Sequence, residues 1–95
     1  MKADPEVRHN EAGQRFESGV GDDVASCHYQ RSGSVLNLHH TEVPHQQRGR
    51  GTAAALVKAA LDYARAQGLK VVPSCSYVRA YMRRHPATQD LLKSQ

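Results

Sequence analysis

The chain has 95 residues, 39% of them hydrophobic, with one Phe and no Trp, which supports a single domain with a thin core of Leu, Val, Ala and Tyr. Its formal charge of +4 suits an anionic partner, without choosing among a nucleotide cofactor, nucleic acid and an acidic protein. Two cysteines are too few for a disulfide framework, and no apolar run approaches the roughly 20 residues of a membrane span. No hydrophobic leader region opens the chain, so a reducing, cytoplasmic setting is expected, with the protein a monomer or a weak homo-oligomer.

Short alternating segments fill the first half. Strands are expected over residues 6–10 and 14–18, with Phe16 facing inward, joined by a turn at 10–13 where Asn and Gly tolerate positive φ. A second turn at 19–22 leads to a strand over 24–30. Ala25, Cys27 and Tyr29 share one of its faces. After a turn at 31–34, a fourth strand is expected over 35–43. Strict period-two alternation puts Leu36, Leu38 and His40 on one face and Val35, Asn37 and His39 on the other. The short spacings predict an antiparallel meander.

Pro44 ends strand pairing. A helix is expected over 52–67, rich in Ala, with Leu56, Ala60, Tyr63 and Ala64 as its apolar stripe and a Lys58–Asp62 pair outside. Gly68 is expected at its C′ position. A short buried strand over 69–73 follows. Ser74 is the expected cap of a second helix over 75–85, and Pro86 opens a turn reaching residue 92. The order is β-β-β-β-α-β-α, an α/β (α+β) fold whose long crossover allows a parallel pairing of strands four and five.

The chain turns on residues 42–52, where two glycines flanked by arginines stand between strand and helix. A helix N-terminus offers free N–H groups and partial positive charge, so it favours anions. Glycines let the backbone approach a ligand, and arginines add charge-assisted bonds. This points to a phosphate-binding loop.

Gln46-x-x-Gly49-x-Gly51 after a strand and before an Ala-rich helix resembles the pyrophosphate loop of the GNAT superfamily of acetyl-CoA-dependent N-acetyltransferases. The segments 41–44, 48–51, 59–64, 68–75 and Tyr81-x-x-x-His85-Pro86 are similar to the minimal single-domain branch of that superfamily. The resemblance implies a mainly antiparallel twisted sheet with a splayed β4–β5 pair and one domain over 1–95. It implies that N–H groups of Gln47, Arg48, Gly49, Arg50, Gly51 and Thr52 hold the CoA pyrophosphate. It also implies that the strand edge at Thr41 to Val43 pairs with pantetheine and that the acetyl thioester lies in the splay. Only residues 10–13 stand where the acceptor-binding helices usually lie, so an amine acceptor is implied without being identified.

Four side chains are candidates for the chemistry. Cys75 follows Pro73-Ser74 at the start of a helix, where a thiolate is favoured. It is read either as a nucleophile forming an acyl-cysteine or as a buried structural thiol. The resemblance puts Tyr81 where a general acid protonates the departing CoA thiolate. The alternatives are a core aromatic and a competing Tyr77 one turn earlier. His40 and Glu42 share a strand face and are candidate bases for an ammonium acceptor, directly or through water. His39 and His40 are expected on opposite faces, so no metal is expected. Arg48, Arg50, Arg79, Arg83 and Arg84 come with no nucleic-acid signature. The functional expectation is acetyl transfer to an amine, with a non-catalytic CoA-binding module as the alternative.

Overall fold

A computed structural model describes residues 6–94. The strands are β1 (Arg8–Asn10), β2 (Arg15–Val20), β3 (Asp23–Ser32), β4 (Val35–Glu42) and β5 (Lys70–Pro73). The helices are α1 (Thr52–Ala66) and α2 (Ser76–Arg84). Short 3-10 turns at His45–Gln47 and Pro86–Leu91 complete the chain. The strands lie side by side in sequence order. The first four form an antiparallel meander, and β5 pairs parallel to β4. This is the expected order and fold class.

The turns are tighter than expected, so β2 and β3 run longer. A two-residue link, Gly21-Asp22, joins them, and Gly21 takes a positive φ of 60°. In the first turn the positive φ falls on Gln14 (53°), not on Asn10 or Gly13. Gly13 is needed for space instead. Its N–H donates to Asn10 Oδ1 at 2.9 Å, and a Cβ there would stand 2.9 Å from Asn10 Nδ2.

One expectation about β4 fails. The register pairs His28 with His40 but Tyr29 with Leu38, so His39 is an extra residue, a β-bulge. Beyond it the alternation is reversed. Thr41 pairs with Cys27 and turns to the core face, while His40 joins His28 on the other face, away from Leu36 and Leu38.

The helices cover a single face of the sheet. Phe16, Ala25, Cys27, Tyr29, Leu36 and Leu38 from the strands join Leu56, Val57, Ala60, Leu61 and Ala64 from α1 in one buried cluster. Val78, Tyr81 and Met82 of α2 close its far end. Tyr63 sits at its margin, where its hydroxyl accepts from Arg31 Nη1 at 2.8 Å. The Lys58–Asp62 pair lies outside at 2.9 Å, as the spacing predicts. The opposite sheet face is polar. Two cross-strand columns, Arg15–His28–His40 and Glu17–Ser26–Glu42, run across it.

Candidate functional site

β4 and β5 pair only as far as Leu38 and Pro73. Proline has no N–H to extend the ladder, and the Cys75 N–H to Leu38 carbonyl bond (3.0 Å) is the last tie before the strands part. The β4 end and the start of α2 therefore flank an open gap. The loop to α1 closes one end of it. A cleft of about 250 Å³ is lined there by Val43, Gln47, Arg48, Gly49, Gly51, Thr52 and Tyr77, among others.

Gly49 and Gly51 have φ of 80° and 78°, in the left-handed region. Within the loop the N–H groups of Gln47 and Arg48 are spent on the Pro44 and His45 carbonyls, and that of Arg50 leans on the Gln47 carbonyl at 3.4 Å. The first α1 bond runs from Ala55 N–H to the Gly51 carbonyl. Among the described residues, the N–H groups of Gly49, Gly51, Thr52, Ala53 and Ala54 therefore make no hydrogen bond. The free donors thus lie slightly further along the chain than the sequence suggests. The Gln47 side chain is no ligand group: it is buried, and its Nε2 donates to the Asp23 carbonyl at 2.5 Å, tying the loop to the β2–β3 turn. Arg48 and Arg50 are exposed beside the donors. Arg50 also borders a second cleft of about 530 Å³ with Lys58.

Cys75, rather than Ser74, stands at the N-cap of α2. Its sulfur makes no capping hydrogen bond, but it meets several donors. Burial alone would raise its pKa. The Val78 N–H, the Thr41 hydroxyl at 3.6 Å, and the Tyr77 and Thr41 N–H groups outweigh that and hold the thiol below its ordinary value. Cys27 contrasts with it, since burial pushes that thiol up to about 11. Neither cysteine is in a disulfide.

A family model described as GCN5-related N-acetyl-transferase matches residues 15–91. The chain belongs to the GCN5-related N-acetyltransferase family. Protein NATD1 of Mus musculus is 34% identical over 92 residues, covering 94% of this chain and 84% of the relative. Protein NATD1 of Gallus gallus is 34% identical over 89 residues, covering 90% and 81%. The solution structure of a GCN5-like N-acetyltransferase candidate from Staphylococcus aureus superposes with a TM-score of 0.75. It is 25% identical and covers 99% of this chain and 93% of that one.

The remaining candidates in this N-acetyltransferase-like chain divide by face. Tyr81 is buried and stacks on His85 with ring centroids 3.9 Å apart. Burial raises its pKa, Lys58 opposes and Asp62 and Tyr77 reinforce, so the phenol keeps its proton. Tyr77 lines the loop cleft directly. His40 and Glu42 share the polar face as expected, with Nε2 and Oε1 3.6 Å apart. His28 sits under both histidines of β4, its ring centroid 5.4 Å from His40 and 6.3 Å from His39. Among the described residues no group of three His, Cys, Asp or Glu is placed to hold a metal ion. No described helix is long and apolar enough to cross a membrane. Arg79 is turned back on its own chain, donating to the Pro73 and Ser74 carbonyls at 3.1 and 2.9 Å.

Two features carry no local sequence signal. The Thr41 side chain reaches Cys75 only because of the bulge at His39. Gln47 becomes an anchor only through a contact with a distant turn.

Proposed function

We propose that the protein binds acetyl-CoA as co-substrate and transfers the acetyl group to an amine, by way of Cys75. The observation that carries this reading is the set of unbonded N–H groups at Gly49, Gly51, Thr52, Ala53 and Ala54, in a cleft also lined by Tyr77, two residues beyond a thiol whose pKa is lowered. Gly49, Gly51 and Thr52 would hold the pyrophosphate, with Arg48 and Arg50 supplying charge. The β4 edge from Thr41 to Val43 would pair with pantetheine and bring the thioester to Cys75.

In the first half-reaction the Cys75 thiolate attacks the acetyl carbonyl. A bond to Cys75 Sγ forms, the bond to the CoA sulfur breaks, and the CoA thiolate takes a proton from Tyr81, or from Tyr77 at the cleft itself, the phenolate regaining a proton from solvent. In the second, the amine attacks the acetyl-cysteine and gives up its proton through water to His40 or Glu42, which lie on the opposite sheet face and pass it on to solvent. This releases the thiolate. A reducing compartment such as the cytoplasm would keep that thiol free.

A second reading has its own support. A turn at residues 11–14 stands between β1 and β2, and the sheet face bearing His40 and Glu42 has no described helix over it. An acceptor therefore finds no walls there, which suits a module that binds CoA or acyl-CoA without turnover.

Intact-protein mass spectrometry after incubation with acetyl-CoA separates the two. A single acetyl group on Cys75, absent in Cys75→Ala and removed by added amine, is the expected result. CoA binding in a thermal-shift assay with no label and no transfer across small amines, polyamines and protein N-termini favours the binding module. Comparing Tyr77→Phe with Tyr81→Phe in the transfer assay identifies the acid. Salt-sensitive oligonucleotide binding without competition from CoA would overturn both readings.

A further inference from the structure

The β-bulge at His39 brings one hydroxyl between two sulfurs. Thr41 Oγ1 lies 3.6 Å from Cys75 Sγ and 3.9 Å from Cys27 Sγ. The Thr41 N–H also faces the Cys75 sulfur. A hydroxyl has one proton to donate, so the two sulfurs compete for it. Cys27 is fully buried, and burial pushes its thiol up to about 11, so it stays a neutral and weak acceptor. An ionised Cys75 is a charged acceptor, and charge-assisted bonds are roughly twice as strong as neutral ones.

We infer that Thr41 is a positioning residue for Cys75, its hydroxyl turning from neutral Cys27 to the Cys75 sulfur as that sulfur ionises and so enlarging the reactive thiolate fraction. The bulge is part of the device. In an unbroken period-two strand Thr41 would lie on the face opposite Leu38 and reach neither cysteine. The backbone N–H groups of Tyr77 and Val78 approach the sulfur from α2. Thr41 supplies the donors from β4, so the sulfur is held from both sides of the gap.

The inference deepens the proposed role of Cys75, but its test uses no acetyl-CoA. The full chain is alkylated with iodoacetamide across a pH series, and peptide mass spectrometry follows Cys75 separately from buried Cys27. The rate tracks thiolate. Thr41→Val keeps the shape and removes the hydroxyl. Its midpoint is expected to rise by about one pKa unit, leaving about tenfold less thiolate at neutral pH. Thr41→Ser restores the hydroxyl and the wild-type midpoint. Cys27→Ala removes the competing acceptor and leaves the midpoint at or below the wild-type value. Where Thr41→Val does not fold, Thr41→Ala carries the same expectation. A hydroxyl-free variant that folds and titrates like wild type overturns the inference, as does a Thr41→Ser midpoint displaced as far as that of Thr41→Val. A thiol with the expected Thr41 dependence that never accepts an acetyl group defeats the acyl-cysteine reading and supports this one.

Discussion

Gly51→Ala tests the proposed phosphate loop with a built-in control elsewhere in the chain. Gly51 stands at the N-cap of α1 with φ 78° and ψ 11°, and a Cβ built there meets nothing within 4 Å. The whole folding cost of the methyl is therefore backbone strain, about 1–2 kcal/mol for an L-residue in the left-handed region. For a domain of this size each kcal/mol lowers the melting temperature by about 4–8 °C. Gly68, after α1, has φ 69° and equally open surroundings, so Gly68→Ala carries the same strain far from the loop. The two variants are expected to lose similar stability in thermal melts. They should differ in calorimetric titration with CoA. At Gly51 the added methyl stands among the unbonded N–H groups, and binding is expected to weaken at least tenfold, about 1.4 kcal/mol. Gly68→Ala should bind as wild type does. If the two variants bound CoA equally well, the loop would not be the pyrophosphate site, whatever the melts showed.

Replacing Arg48 and Arg50 together with Gln is expected to weaken CoA binding several-fold at low salt and to flatten its salt dependence, because both guanidinium groups are exposed and screened. Gln47→Leu removes the donor to the part-buried Asp23 carbonyl and is expected to cost about 0.5–1.5 kcal/mol in a denaturant melt, as the loss of one hydrogen bond does; an unchanged midpoint would refute its role as the loop's anchor. Burial, the largest cause in each case, lowers the pKa of His9 and of His28, to which His40, Arg15 and His39 add repulsion. The unfolded chain then binds more protons between those lowered values and 6.5, so stability is full above about pH 6.5 and is lost as pH falls toward the folded values. Thermal melts across that window should show the loss, and His28→Gln should lessen it.

The parts of this site that are legible in the sequence are those written in local chemistry. Two glycines three and five residues after Gln46, with an Ala-rich run after them, specify a turn, a helix start and a free set of donors without reference to the rest of the chain. Period two places Ala25, Cys27 and Tyr29 correctly because β3 runs unbroken beneath α1. The bulge is different. Leu36, Leu38 and His40 continue a regular alternation, and no glycine or proline marks His39 as surplus. Only the pairing with β3 shows it, because Tyr29 is already held opposite Leu38 while His28 meets His40. Gln14 is hidden for a similar reason. Asn10 and Gly13 look like the residues that take positive φ, but the left-handed step falls on Gln14, while Gly13 donates to the Asn10 side chain.

The gap itself has a short cause. Pro73 ends β5 because it has no N–H to offer β4. Ser74 N–H turns back to the Val72 carbonyl, and Cys75 N–H takes the Leu38 carbonyl, so the chain leaves the sheet within two residues. α2 then starts at Ser76, which leaves Cys75 in extended geometry at its N-terminus with the sulfur toward Thr41. Three consecutive residues thus end the strand pairing, open the space beside β4 and aim a thiol into it. The loop at Gly49–Gly51 and the Pro73-Ser74-Cys75 segment are each short, but β4 joins them. Its register sets which face Thr41 takes, and its end, past the last β5 bond, leads into the loop. With the same residues in an unbroken register, Thr41 would turn to the polar face and the Cys75 sulfur would lose its hydroxyl donor from β4.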